Sequence, residues 1–338
     1  MSTLQPLSGR TFDVVCVGNA IVDVLAHTDD AFLDRHSMVK GSMQLIEPSL
    51  ARSIYDEMPP AIEISGGSAA NTAAGIAALG AKAAFVGKVA NDELGRVFTH
   101  DINAAGVSFT PAHATGEQLA AGTARCLILV TPDAQRTMNT SLGVAGFLEP
   151  ADIDEELLSQ ASVVYCEGYL WDEPSAKAAI RKAMDVARNV GAAVAFTLSD
   201  GFCVDRNRAE FLDLVEKRID ILFANEAEIC SLYEVESIEE AADLVAGHCA
   251  IACLTQSEKG SLILSRDGTR IRIPAVSTNL VDTTGAGDLF AAGFLASWSR
   301  GADLAESGRI ASIAAGEVIS HLGARPQQDL RALVAAAD

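Results

Sequence analysis

The sequence predicts an α/β fold: a mostly parallel central sheet with helices on both faces, and a small β-sheet lid set apart from it. Three observations carry this. Short β-branched apolar runs alternate with longer alanine-rich stretches through most of the 338 residues, the pattern of strands buried on both faces and joined by helical crossovers. About half the chain (49%) is hydrophobic and only 21% is charged, while its 27 glycines and 10 prolines gather in no tract; disorder, collagen and coiled coil are excluded. Two regions break the rhythm with half-exposed patterns. No long linker or internal repeat divides the chain, so residues 1–338 read as one domain carrying a lid.

In chain order, residues 12–18, 83–87, 162–166, 193–197, 220–224 and 250–255 are expected to be strands, each apolar, β-branched and bounded by Gly, Asn or Asp. Helices are expected at 70–79, 92–105, 173–190, 205–217 and 238–247. The interruptions at 22–46 and 107–140, the latter with the alternating run ARCLILV, read as half-exposed antiparallel strands that form the lid over a site.

With 25 basic and 45 acidic residues the formal charge is −20. So acidic a surface repels a phosphate backbone and an anionic membrane alike, which makes nucleic acid and membrane poor partners. Any anionic ligand needs a local device. The N-terminal apolar run DVVCVG is too short for a signal peptide or a membrane span, and a cytoplasmic protein is expected. The seven cysteines are scattered with no C-x-x-C pair, and the histidines show no H-x-x-x-H. Buried reduced thiols and no zinc site are expected.

The strongest chemical signal is Val281-Asp282-Thr283-Thr284-Gly285-Ala286-Gly287-Asp288, a glycine-rich turn opening the apolar run LFAAGFLASWS. Free N–H groups at such a turn, with the positive end of a helix behind them, make a nest for an anion. The same helix end favours an ionised Asp288 able to take a proton. Nest plus base is what phosphoryl transfer to a hydroxyl requires. A bare G-x-G with a capping Asp would be only a turn; the full run late in an α/β chain points to chemistry. Gly66-Gly67-Ser68-Ala69-Ala70-Asn71 places an amide near a helix start, where it serves a polyhydroxyl ligand or, equally, allows tight helix packing. Asn19 and Asp23 follow the first strand, where open α/β sheets bind ligands, although Asp23 could equally cap the strand end. Asn225-Glu226-Ala227-Glu228 follows another strand, with Glu228 either a magnesium ligand through water or a helix first-turn acid. The P-loop pattern is missing, since Gly87-Lys88 has Lys82 and Val89 where Gly and Ser or Thr belong; G-x-G-x-x-G and G-x-S-x-G are missing too.

GGSAANTAAGIAALGAKAAFVGKVANDELG resembles the N-terminal signature of the ribokinase-like (PfkB) carbohydrate kinases, DTTGAGDLFAAGFL their C-terminal signature, and Asn225 to Glu228 their N-x-x-E element. The likeness runs from about residue 13 to about 326. It implies a three-layer α/β/α sandwich with a β lid, and magnesium-assisted transfer from ATP to a primary hydroxyl of a sugar or nucleoside. By the same resemblance Asp288 is the base, and the amides of Gly285, Ala286 and Gly287 are the anion hole. Arg136, in DAQRTMN, reaches the transferring phosphate; its alternative is a surface arginine. Substrate contacts are implied for Asn19, Asp23, Gln44, Gly67, Asn71 and Tyr169. ATP contacts are implied for Ser199, Asn225, Thr255, Gly260, Thr284 and Gly287, with Glu228 acting on Mg2+ through water and Asp282 in a potassium-binding loop. The family's T-x-G-x-x-G departs here, with Ser257 in place of glycine. VGNAIVD, GGSAAN, Gln44, EGYLWD and Leu198-Ser199 look more like adenosine-kinase-like members than ribokinases, with Tyr169, Leu170 and Trp171 as a candidate wall for a base. A purine nucleoside ranks first and a ribose- or fructose-type sugar second; a non-catalytic binder is a third reading. A monomer or homodimer is expected.

Overall fold

The computed structural model describes residues 4–133 and 135–337. Of the expected lid only Ala134 lies outside them, as do the first three residues of the N-terminal stretch. Among the described residues the strands are β1 (Phe12–Val17), β2 (Ile21–His27), β3 (Met43–Leu45), β4 (Ile62–Gly66), β5 (Ala83–Val86), β6 (Lys88–Val89), β7 (Ser108–Phe109), β8 (Ala112–His113), β9 (Ala124–Val130), β10 (Arg136–Ser141), β11 (Ala161–Glu167), β12 (Ala193–Thr197), β13 (Ile221–Asn225), β14 (Ile251–Thr255), β15 (Ser261–Ser265) and β16 (Arg270–Ile273). The helices are α1 (Asp30–Arg35), α2 (Pro48–Glu57), α3 (Ser68–Ala78), α4 (Glu93–Ala104), α5 (Glu155–Ser159), α6 (Pro174–Asn189), α7 (Gly201–Lys217), α8 (Glu226–Tyr233), α9 (Ile238–Val245), α10 (Ala286–Trp298), α11 (Leu304–Val318) and α12 (Leu330–Ala336). Each strand and helix expected for the α/β body forms within a few residues of its expected place.

The central sheet runs β16-β15-β14-β13-β12-β11-β1-β5-β7. From β14 to β7 every pairing is parallel, and β15 and β16 add an antiparallel edge. Strand β1 shows why both faces are covered. Val14 and Cys16 pack into one core with residues of α3, α10 and α11, whereas Val15 and Val17 pack into the other with residues of α6 and α7. Alternate side chains of a strand point to opposite faces, and here all of them are apolar.

The helices mostly begin on a side-chain cap. Asp92, Asp200, Asn225, Ser237 and Asp303 each accept a first-turn N–H at the starts of α4, α7, α8, α9 and α11. Helix α10 differs. It begins on Gly285 at φ 79°, with no side-chain cap.

The small sheet runs β3-β10-β9-β2-β4, and two features depart from expectation. It is mixed, because β2 runs parallel to β9 and β10 parallel to β3, while β9–β10 and β2–β4 are antiparallel. Only a tight hairpin forces antiparallel pairing, and β2 and β9 are separated by a long excursion through the main body. Secondly, residues 107–121 take no part in it. Strand β7 extends the central sheet beside β5, where Phe109 stacks near Phe85 and Phe98 at centroid distances of 5.5 and 5.3 Å. Strand β8 pairs with β6, and the fifth strand of the small sheet is β4. Six of the seven cysteines are buried and all are free. No helix among the described residues is long and apolar enough to cross a membrane.

The two-helix contact behind the site is close enough to be tested. A Cβ on Gly293 of α10 would stand 2.6 Å from Ala311 Cα and 2.8 Å from Ile310 O on α11. Alanine gains about 1 kcal/mol over glycine in a helix, but pushing two packed backbones apart costs about 1–3 kcal/mol. Gly293→Ala is therefore expected to lower the urea midpoint of unfolding; a raised midpoint would show that α11 yields to the methyl group.

Candidate active site

The order of the central sheet reverses between β11 and β1, and the carboxyl ends of strands on either side of such a switch point leave a crevice. Here the crevice is a cavity of about 630 Å3, lined by residues following β1, β11, β12 and β13, by the starts of α3 and α10, and by one face of the small sheet. Asn19, Asp23, Gly67, Asn71, Tyr169, Ser199, Asn225, Glu228, Thr255, Thr284, Gly285, Ala286, Gly287 and Asp288 all reach it. Residues hundreds of positions apart thus share one wall.

At its floor lies the start of α10. Asp288 sits in the first turn, where Ser68 Oγ donates to its Oδ1 at 2.6 Å and Asn71 Nδ2 to its Oδ2 at 3.0 Å. Burial pushes the Asp288 carboxyl above the usual range; the bonds from Ser68 and Asn71, and the charge of Arg325, oppose that rise. Of the three expected anion-hole amides, that of Ala286 already donates to Thr283 O at 3.2 Å. At Gly287 the space a side chain would fill is open. The left-handed Gly285 lets the chain enter the helix without a side chain over its end.

Beside Asp288 lies a rim of acceptors. Asn19 is nearly fully buried, and its N–H and Nδ2 both donate to Glu167 Oε1, at 2.9 and 2.7 Å. Glu167 Oε2 accepts the N–H of Ala69 at 2.7 Å. Sequence reading missed Glu167, a fully buried acid at the end of β11; a glutamate closing the apolar run VVYC is the signal that was available. Burial pushes its carboxyl up to about 7 despite those three bonds. The amide oxygens of Asn19 and Asn71 are buried and have no donor. Asp23 is also raised to about 7, by burial first and then by Asp288, with Arg325 pulling the other way. Gly67 sits at φ 94°, and a Cβ there would lie 2.4 Å from Asn19 O, so only glycine brings the turn this close.

The wall expected for a base is only partly where the sequence placed it. Tyr169 lines the cavity, its hydroxyl donating to Ser199 O at 3.2 Å. Ser199 holds the strained φ of 74° while its Oγ accepts the N–H groups of Gly168 and Tyr169. Leu170 and Trp171 belong instead to the core, Trp171 being 0% exposed against Phe196 and Phe211, with its indole N–H on Glu210. Gln44 likewise misses the cavity. Its neighbours Met43 and Leu45 line it, and strand alternation turns Gln44 to the other face. The apolar wall comes from Ile21, Met43, Leu45, Ile128, Met138 and Leu142 of the small sheet and its margin. Of these only Ile128 belongs to the alternating run ARCLILV. Phe202, 73% exposed, stands at the mouth.

At the other end, Asn225 and Glu228 form a reciprocal cap. Glu228 accepts the Asn225 N–H at 3.0 Å and its Nδ2 at 2.6 Å, and burial raises its carboxyl to about 7. Gly260 makes the β14–β15 turn and does not line the cavity. Ser257, standing where the family has glycine, still adopts φ 50°, a conformation that strains a residue with a Cβ. Arg136 also stays out of the cavity and pairs with Asp282. Asp282 is buried, its carboxylate taken by Arg136, by the Thr284 N–H at 2.8 Å and by the Gly323 N–H at 3.1 Å. It pins the glycine turn. No group of three or more His, Cys, Asp or Glu suited to a metal occurs among the described residues.

Comparison with known proteins agrees with this geometry. The adenosine kinase of Sinorhizobium meliloti, a crystal structure, is 47% identical, superposes with a TM-score of 0.87 and covers 97% of this chain and 99% of its own. A probable sugar kinase from Rhizobium etli CFN 42 is 46% identical with the same TM-score and the same coverage. The 5-dehydro-2-deoxygluconokinase of Bacillus subtilis (strain 168) is 26% identical over 317 residues, 92% of this chain and 91% of its own. Residues 56–330 match the pfkB family of carbohydrate kinases, and with that match, the glycine turn opening α10 and the shared fold, this chain belongs to that family of phosphotransferases acting on hydroxyl groups of sugars or nucleosides.

Proposed function

We propose that the protein transfers the γ-phosphoryl group of ATP to the 5′-hydroxyl of a purine nucleoside, adenosine in the first place. One observation carries this reading: two buried, donor-less amide oxygens, on Asn19 and Asn71, stand beside the carboxylates of Asp23 and Asp288 under an apolar roof. A rim made of acceptors asks for O–H donors, because a buried acceptor left unmade costs about 1–3 kcal/mol. The roof of Ile21, Met43, Leu45, Ile128 and Met138 asks for a flat apolar group. A free sugar answers only the first demand; a nucleoside answers both. An adenosine kinase at 47% identity and a probable sugar kinase at 46% fit the fold alike, so the choice rests on the roof.

In this reading Asp288 accepts the hydroxyl proton as the substrate oxygen bonds to the γ-phosphorus and the bond to the departing ADP oxygen breaks. Ser68 and Asn71 hold the carboxylate in place for that transfer. The positive end of α10 and the amides of Gly285 and Gly287 meet the charge on the group in flight. Asp23, Asn19, Gly67 and Asn71 grip the ribose hydroxyls, and Tyr169 flanks the base. Ser199, Asn225, Thr255 and Thr284 face the nucleotide. Kinases of this family use ATP with a divalent metal, and magnesium, when bound, neutralises phosphate charge. Because both Glu228 oxygens hold Asn225, Glu228 would hold that ion through water. The small sheet acts as the lid.

Asp288→Asn preserves shape and removes the base. It is expected to lower turnover by about 10²–10⁴ while leaving ATP affinity, measured by calorimetry, near that of the wild type; full activity would reject the assignment. A second measurement addresses the acceptor. ADP release with magnesium and ATP in the presence of adenosine, guanosine, inosine, ribose or fructose is expected to be fastest with adenosine. Preference for ribose or fructose would establish the sugar-kinase reading instead, and no release with any of them would point to a non-catalytic binder.

A further inference from the structure

One cation lies where the small sheet meets the main body, and none of the chemistry above explains it. Arg325 follows α11. Its Nε and one terminal nitrogen donate to Ser65 O at 3.0 and 2.7 Å, and that nitrogen also reaches Ser65 Oγ at 2.9 Å; the other terminal nitrogen donates to Ala70 O at 2.8 Å. Ser65 in turn donates its N–H and Oγ–H to Asp101 Oδ2 of α4, at 2.8 and 2.6 Å. The fork therefore grips both sides of Gly66-Gly67-Ser68-Ala69, the turn by which β4 becomes α3. That turn carries Ser68, and one residue beyond the fork stands Asn71, the two side chains bonded to Asp288. It also packs on Asp23, since a Cβ on Gly66 would lie 2.3 Å from the Asp23 carboxylate.

We propose that Arg325 is a positioning residue of the transfer site, a clamp that sets the β4–α3 turn beneath the substrate and places a counter-charge behind Asp23 and Asp288. This rests on the kinase reading above. The ionisable groups facing the cation come from every side: Asp23 of β2, Asp101 of α4 and Asp288 of α10, with Tyr165 and Glu167 of β11 and Glu228 of α8 behind Asp288. All of these are acids. Arg325 is the cation that opposes the upward shift of both Asp23 and Asp288. Burial lowers the guanidinium only to about 10, so it stays charged at neutral pH. Its planar fork fixes the directions of the bonds to Ser65 and Ala70, whereas a lysine ammonium is a point charge on a flexible stem.

The test is the acidic limb of the pH profile of kcat/KM. The base must be deprotonated, so raising its pKa moves that limb to higher pH. Arg325→Gln is expected to move it up by about one unit, the lower end of the effect of an adjacent opposite charge, with about a tenfold loss below the limb. Asp101→Asn frees the cation from a competitor and is expected to move the limb the other way. Arg325→Lys keeps the limb near its wild-type position while raising the KM for the acceptor, because the fork is lost. Activity lost in Arg325→Gln without movement of the limb, or no movement in Asp101→Asn, would overturn the charge role, and the latter decides the matter should Arg325→Gln fail to fold. Carboxyl 13C NMR titration of Asp23 and Asp288 in the ligand-free wild type and Asp101→Asn proteins reads the same shift without turnover. A wild-type chain that releases no ADP would thus reject the kinase reading while leaving the titration to decide this one.

Discussion

Helix α10 starts on a left-handed glycine instead of a side-chain cap, and the site is arranged around that start. A glycine in place of a side-chain cap costs a helix roughly a few tenths of a kcal/mol. The deficit is offset behind the first turn, where Leu289 to Ala296 are buried against α3 and α11 with small residues at the closest approach. The apolar body of the helix holds its polar end open toward the cavity. Asp282 and Arg136 fix the preceding turn from one side, and Ser68 and Asn71 fix Asp288 from the other.

Acidity is the second constraint. The chain carries a formal charge of −20, and Asp23, Glu167, Asp200, Glu228 and Asp288 all line the same cavity. Among the described residues lining it, Arg206 is the one basic side chain, and it is paired with Asp172. Arg136, the arginine the sequence offered for the phosphate, is held by Asp282. Capture of a nucleotide in the proposed reaction therefore falls to backbone amides, the end of α10 and a metal ion. Burial is the chief cause of the upward displacement of Asp23, Glu167 and Glu228, and the charge of Asp288 adds to each.

Much of this was legible in the residues. The order of strands and helices followed from hydrophobic period, because every strand of a covered parallel sheet is apolar on both faces. The turn at 282–288 was legible because few sequences place two glycines and an acid at the mouth of an apolar helix. What escaped were residues whose role depends on a distant partner. Glu167 reads as a strand end until Asn19 and Ala69 are folded onto it. Trp171 and Gln44 were misplaced for a simpler reason: a side chain's direction at a strand end or in a three-residue strand is decided by packing, and Trp171 finds Phe196 and Phe211.

By itself the sequence determined the α/β body, the two signature turns and the family they belong to, since these are local patterns of period, glycine placement and charge. Only the tertiary structure decided the pairing of the small sheet, the identity of the apolar roof, the engagement of Arg136 by Asp282 and the place of Arg325 among three carboxylates. These are contacts between residues up to 260 positions apart, such as Ser65 and Arg325. Their geometry and dielectric surroundings come into being only when the chain closes on itself.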